Sequence, residues 1–301
     1  MKIGFLTACF PERKFEELIE WAAQNDFENI EIPCWPKKFE KRRYAGVTHI
    51  DVDILDKGTI DKINDVLRKN KIEISSLAYY PNYLDPDPEK RDFNIVHLKK
   101  VIGVANKLGV GVVGTFVGRN KDENDDYNLK MYKDIFTDIV KFAEDNGIKI
   151  AIENCPMLWA DRWPGGHNIA RSPEIWDKMF ELIKSDYIGL NFDPSHLVWQ
   201  QIDYVKAVYD FKEKIFHTHA KDTKMLPEKL AYKGIYGFGF YEDKIAGMGD
   251  IDWKKYIRAL YEINYDGVIS IEHEDRGWEK DEENIEQGIL LAKKLILTYL
   301  I

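Results

Sequence analysis

The chain has 301 residues, 45% of them hydrophobic and 32% charged, and a formal net charge of −9. That is enough chain for a large core. The acidic balance argues against a nucleic-acid surface, where a basic stripe is expected. No apolar run approaches the roughly 18 residues of a transmembrane helix, so no such helix is expected. Three cysteines without CxxC spacing, Cys9, Cys34 and Cys155, make no disulfide framework. The N-terminus reads as a strand and not as a signal peptide, so a reducing cytoplasm is the expected setting.

In chain order the pattern is strand, then helix, repeated. Lys2–Ala8 is the first strand, and Phe15, Leu18, Ile19 and Ala22 mark an amphipathic helix at i, i+3, i+4, i+7. Asn29–Ile32 is the second strand; Ile60, Ile63 and Leu67 mark the second helix, which Asn70 ends. Ile72–Ala78 precedes a helix carrying Ile95, Leu98, Ile102 and Ala105 and stopped at Gly109. Val110–Phe116 precedes a helix with Tyr132, Phe136, Ile139 and Ala143, stopped at Gly147. Ile148–Ile152 is strand five; Ser172-Pro173 then predicts a capped helix start. Tyr187–Phe192 is strand six, followed by a helix near Tyr204–Phe211. Lys214–Ala220 is strand seven, and a glycine-rich loop is expected from there to Asp250. Trp253, Tyr256, Ile257 and Leu260 mark a helix, Val268–Ile271 the eighth strand, and Ile285, Ile289, Ala292 and Leu295 a closing helix.

Eight strands alternating with eight helices must run parallel, and they close most naturally as a single-domain (β/α)8 TIM barrel over residues 1–301. The rival, an open doubly wound sheet, usually shows a glycine-rich turn after its first strand, and Ala8-Cys-Phe-Pro-Glu-Arg13 has none.

In such barrels chemistry sits at the C-terminal ends of strands. Strand five ends in Glu153-Asn154. Strand six gives Asn191-Phe-Asp-Pro-Ser-His196, strand seven His217-Thr-His-Ala-Lys-Asp222 and strand eight Ser270-Ile-Glu-His-Glu-Asp275. Period-2 alternation turns Asp193 and Glu272 inward if their apolar neighbours face the helices. Inward carboxylates need a cation or a proton. Carboxylates with one imidazole suit a divalent metal of octahedral preference: Mn²⁺ first, with Mg²⁺ and Co²⁺ as alternatives. Three carboxylates against one such ion leave a net charge near −1.

These endings resemble the xylose isomerase-like sugar isomerase/epimerase superfamily. Its members include ketose 3-epimerases of the tagatose/psicose type, inosose-processing enzymes and the endonuclease IV group. The resemblance covers nearly the whole chain. It implies that Glu153, Asp193, His219 and Glu272 are metal ligands, and that His196 contacts substrate or a second metal. The chain departs from the ketose 3-epimerases twice. Pro156-Met-Leu-Trp159 stands where those enzymes carry a further Glu, and Lys221-Asp222-Thr-Lys224 where they carry an Arg.

The expected chemistry is proton abstraction next to a carbonyl on a keto-sugar or polyol derivative, through an enediolate. Glu153 and Glu272 would take and return the proton. Epimerisation, isomerisation and loss of a β-substituent, as in a lyase or dehydratase, all follow from that intermediate. Multi-metal phosphoester hydrolysis, as in the endonuclease IV group, and non-catalytic sugar binding are the other classes. His196, His167, Arg171, Trp159 and Asp222 are the expected substrate contacts, although a structural salt bridge also suits Arg171. The loops Asn154–Arg171 and Lys221–Asp250 are rich in aromatics, which suit sugar faces, loop anchors or the interface of a homo-oligomer. His217 is expected to fix a ligand from behind, and Glu31 to face the pocket or serve as a buried structural carboxylate.

Overall fold

The computed structural model describes residues 1–37, 43–158 and 166–300. The first half runs β1 (Lys2–Leu6), α1 (Phe15–Gln24), β2 (Asn29–Pro33), α2 (Lys57–Asn70), β3 (Glu73–Ala78), α3 (Pro88–Leu108), β4 (Val112–Thr115) and α4 (Asp125–Asp145). The second half runs β5 (Lys149–Glu153), α5 (Pro173–Leu182), β6 (Ile188–Phe192), α6 (Ser195–Val198), α7 (Tyr204–Asp210), β7 (Ile215–Met225), α8 (Pro227–Lys233), β8 (Tyr241–Ile245), α9 (Trp253–Glu262), β9 (Val268–Ile271) and α10 (Glu282–Leu297).

Strands β1 to β7 pair in parallel, each with the next, β7 pairs with β9, and β9 returns to β1. The barrel is therefore closed and has no open edge. Alternation sends Ile30, Ile32, Ile150, Ile152, Leu190 and Phe192 outward into the core shared with the helices. The helices answer with the expected faces: Phe15, Leu18, Ile19 and Ala22 of α1 are all buried. Helix ends follow local chemistry. Asp87 accepts from Glu89 N ahead of Pro88, and Gly109 closes α3 with φ 71°. Ser172 stands at the start of α5 as expected, but its side chain makes no capping bond; Pro173 alone marks the turn.

Two features depart from expectation. First, β7 does not end at Ala220. It rises above the rim to Met225 and pairs antiparallel with β8, from Lys221↔Ile245 to Met225↔Tyr241. The expected loop is a hairpin with a short helix at its tip, and the pairing satisfies backbone groups that a lone projecting strand would leave open. Second, β6 passes through Pro194 straight into the one-turn helix α6, which carries His196. Among the described residues no helix is long and apolar enough to cross a membrane.

The inward faces are mostly small or polar, with Leu6 packed against Ala8, Ala78 and Tyr80. Gly114 is there because Tyr80 needs the space: a Cβ at 114 would lie 2.5 Å from the Tyr80 hydroxyl oxygen. That hydroxyl donates to Glu31 Oε1 at 2.9 Å. Gly114→Ala should therefore cost about 1–3 kcal/mol of stability. Urea denaturation measures this; an unchanged midpoint would refute the space requirement.

Candidate metal centre

The strand register assembles the site. Glu153 is level with Asn191, Asn191 with His217, and His219 with Ser270. One residue past β6 and one past β9, Asp193 and Glu272 join Glu153 and His219. One ligand-type atom from each of the four lies within 4.8 Å of the others. His219 Nδ1 is 3.5 Å from Glu272 Oε2 and 3.8 Å from Glu153 Oε1. Asp193 and His219 are fully buried, and the Glu272 side chain is 12% exposed.

Each donor is aimed by a second group. Asp193 Oδ1 accepts from Ser195 N at 2.8 Å, which turns Oδ2 to the cluster. The Asn154 amide grips the Asp193 backbone from both sides, accepting from its N at 2.7 Å and donating to its O at 2.8 Å. Asn168 donates to the backbone oxygens of Glu153 and Cys155 and accepts from Val117 N and Gly118 N. His219 Nε2 donates to Glu31 Oε2 at 2.9 Å, so Nδ1 faces the cluster and, when the ring is neutral, offers it a lone pair. Glu31 also accepts from Tyr80 and Ser270. Burial pushes the Glu31 carboxyl up, but His219 and His217 outweigh it and hold it below its ordinary value. His217 sits behind the cluster, as expected, with Nδ1 donating to Asn191 Oδ1 at 3.0 Å.

Asp193 Oδ2 and His219 Nδ1 are buried and accept no hydrogen bond, and His196 Nε2 beside them has no hydrogen-bond partner either. Orphaned buried atoms on a carboxylate and an imidazole, converging with two more carboxylates, fit a divalent cation. His196 Nε2 is 3.3 Å from Asp193 Oδ2 and 3.4 Å from Glu153 Oε1. It borders the donor set.

Two further charged residues, Lys221 and Glu274, stand at the cluster without having been expected there. Lys221 Nζ lies 2.6 Å from Glu272 Oε2, 2.9 Å from Glu274 Oε2 and 3.3 Å from Asp193 Oδ2, with the side chain 2% exposed. Burial opposes its charge, but the surrounding carboxylates hold its pKa well above the ordinary value. Burial likewise pushes Glu272 up, and Lys221 with His219 more than reverses it. Glu274, with burial and Glu272 against it, is pushed up to about 7. The site charge expected from three carboxylates and one ion is thus incomplete, because an ammonium and a further carboxyl belong to it.

Asp222 and Arg171 are engaged outside the cluster. Asp222 is buried with both oxygens in use: Thr223 N and Ile251 N donate to Oδ1, Gly247 N and Trp253 Nε1 to Oδ2. It clamps the base of the β7–β8 hairpin to α9. Arg171 forms the salt bridge, 2.6 Å to Asp125 Oδ2, at the start of α4. It lines a cavity with Arg119, Asn124, Asp125 and Asp126, none of them in the cluster. His167 is half-buried at a turn where its N donates to Pro156 O at 3.1 Å. Trp159 lies outside the described residues.

Fold and site together define a (β/α)8 barrel with a carboxylate–histidine centre at its C-terminal mouth. The chain belongs to the xylose isomerase-like TIM barrel family, whose profile matches residues 19–295. An inosose dehydratase of Clostridium botulinum is 27% identical over 284 residues, covering 87% of this chain and 83% of the relative. The crystal structure of a D-tagatose 3-epimerase-like protein superposes with a TM-score of 0.71 at 23% identity, covering 99% of this chain and 98% of its own. The IOLI protein, described with a bound zinc atom, superposes with a TM-score of 0.75 at 19% identity, covering 100% and 99%.

The Asp222 clamp makes a testable claim. Asp222→Ala strands buried donors and should lower stability by at least about 2 kcal/mol. Proteolysis should then cut the 226–240 segment first. Unchanged stability with lost substrate affinity would restore Asp222 as a substrate contact.

Proposed function

We propose that the chain is a metal-dependent isomerase or epimerase that removes a proton next to the carbonyl of a keto-sugar or polyol derivative. The observation that carries this reading is the convergence of Glu153, Asp193, His219 and Glu272, with Asp193 Oδ2 and His219 Nδ1 buried and without a hydrogen bond. These four would hold the ion, Mn²⁺ first, with Mg²⁺ and Co²⁺ as alternatives. Bound there, a divalent ion supplies Lewis-acid polarisation of a carbonyl oxygen and a neighbouring hydroxyl.

The protein does the rest. Glu31 fixes the His219 tautomer, and Asn154 and Ser195 fix the direction of Asp193. In the metal-free site Lys221 and His219 keep Glu272 ionised in spite of burial, and a carboxylate there can accept a proton. Glu153, across the cluster, is the partner base. A proton taken by one and returned by the other inverts the carbon; one base serving adjacent carbons moves the carbonyl. His196 borders both Asp193 and Glu153 and would bind a substrate hydroxyl.

Elimination from the same intermediate is the second reading. The inosose dehydratase relative supports it. So does the fate of the segment where ketose 3-epimerases carry a sugar-holding Arg: Asp222 is spent on the hairpin, and Lys224 pairs with Asp250.

The test is a panel of keto-sugars and keto-glycosides in D₂O with Mn²⁺, followed by NMR. Deuterium should enter at one carbon. Retained skeletons indicate epimerisation or isomerisation, and loss of a β-substituent indicates elimination. Glu272→Gln should lower exchange by at least about 100-fold; exchange at the wild-type rate would remove Glu272 from the mechanism.

A further inference from the structure

Lys221 raises a question that proton abstraction leaves open. A fully buried ammonium is costly unless it is paired, and this one is paired with residues already assigned another cation. Its nitrogen is 2.6 Å from Glu272 Oε2 and 3.3 Å from Asp193 Oδ2. Both residues belong to the four-donor cluster. A divalent ion bonded to them would stand within a few ångströms of a positive charge. Glu274 offers the ammonium another partner. Its Oε2 is 2.9 Å from Nζ, and its side chain, 23% exposed, is the less buried of the two glutamates. Two residues beyond Glu272, it projects on the same side of the chain. A lysine side chain has four rotatable carbons, so a short swing moves the charge between carboxylates without moving β7.

We propose that Lys221 is a built-in place-holder for the metal. Its ammonium neutralises Glu272 and Asp193 when no ion is bound, withdraws onto Glu274 when one binds, and so sets the strength of metal binding. This rests on the reading of Glu153, Asp193, His219 and Glu272 as ligands. Two consequences follow. The empty site is stable without an ion, because its carboxylates are not left facing each other. The ion is held more weakly than the donor set alone would allow, which suits an exchangeable metal.

The experiment is Mn²⁺ titration of the metal-free protein, read by calorimetry and by loss of the free-ion electron paramagnetic resonance signal. Lys221→Met should bind Mn²⁺ at least about tenfold more tightly than wild type. Its metal-free form should melt at a lower temperature, and saturating Mn²⁺ should raise its melting temperature by more than it raises that of wild type. A merely structural lysine would lower both forms alike. Glu274→Gln keeps Lys221 but removes its retreat, so it should weaken binding about tenfold, and most of that loss should vanish in the Lys221→Met background.

Equal or weaker Mn²⁺ binding by Lys221→Met overturns the proposal, as does an additive double variant. Should Lys221→Met not fold, Glu274→Gln decides alone: unchanged affinity overturns the proposal. A wild-type protein that binds no divalent ion overturns the ligand assignment itself, a distinct result.

Discussion

Charge that leaves water must meet charge of opposite sign, and the mouth of this barrel gathers more negative than positive groups. Glu31, Glu153, Asp193, Glu272 and Glu274 all line one buried region. Lys221 is the ammonium among them. An isolated buried carboxylate would protonate or pull the strands apart. Here Glu31, Asp193, Glu272 and Glu274 accept hydrogen bonds from neighbouring groups, and the remaining imbalance is what the proposed cation would neutralise. The architecture around it follows from that need: small inward residues leave room, and polar side chains brace the ligands from behind.

The bracing is layered. Glu31 lies one level below the cluster and takes hydrogen bonds from Tyr80, Ser270 and His219. His217 and Asn191 fill the space beside it. The same arrangement directs the open nitrogen of His219 upward and costs the barrel its apolar filling, so Gly114 must stay small to admit Tyr80. Site and fold therefore share residues: a change in the lower layer alters the tautomer above as well as the packing below.

Much of this was legible in the chain. Strand-helix alternation led to the closed barrel, and the strand endings pointed to the four residues that meet. The same period-2 rule, carried two residues further along β7, separates the other two. His217, His219 and Lys221 share the inward face, while Asp222 faces α9 and bonds Trp253. That parity sends Asp222 to the base of the hairpin and Lys221 to the carboxylates, a distinction the bare strand ending does not make. Parity likewise places Glu274 with Glu272 and turns His273 outward, where its ring lies against Gly288. The hairpin was harder. Its glycines read as a loop, because antiparallel pairing above a parallel barrel depends on a partner twenty residues away. The Arg171 salt bridge needed the position of Asp125, which no local pattern supplies.

The account stands or falls on where a cation binds. Crystals soaked in Mn²⁺ and measured at the manganese absorption edge give that position directly. The account predicts one strong anomalous peak bonded to Glu153, Asp193, Glu272 and Nδ1 of His219, with Glu31 still on Nε2. A peak elsewhere, ligation through His219 Nε2, or no peak at saturating Mn²⁺ would contradict it.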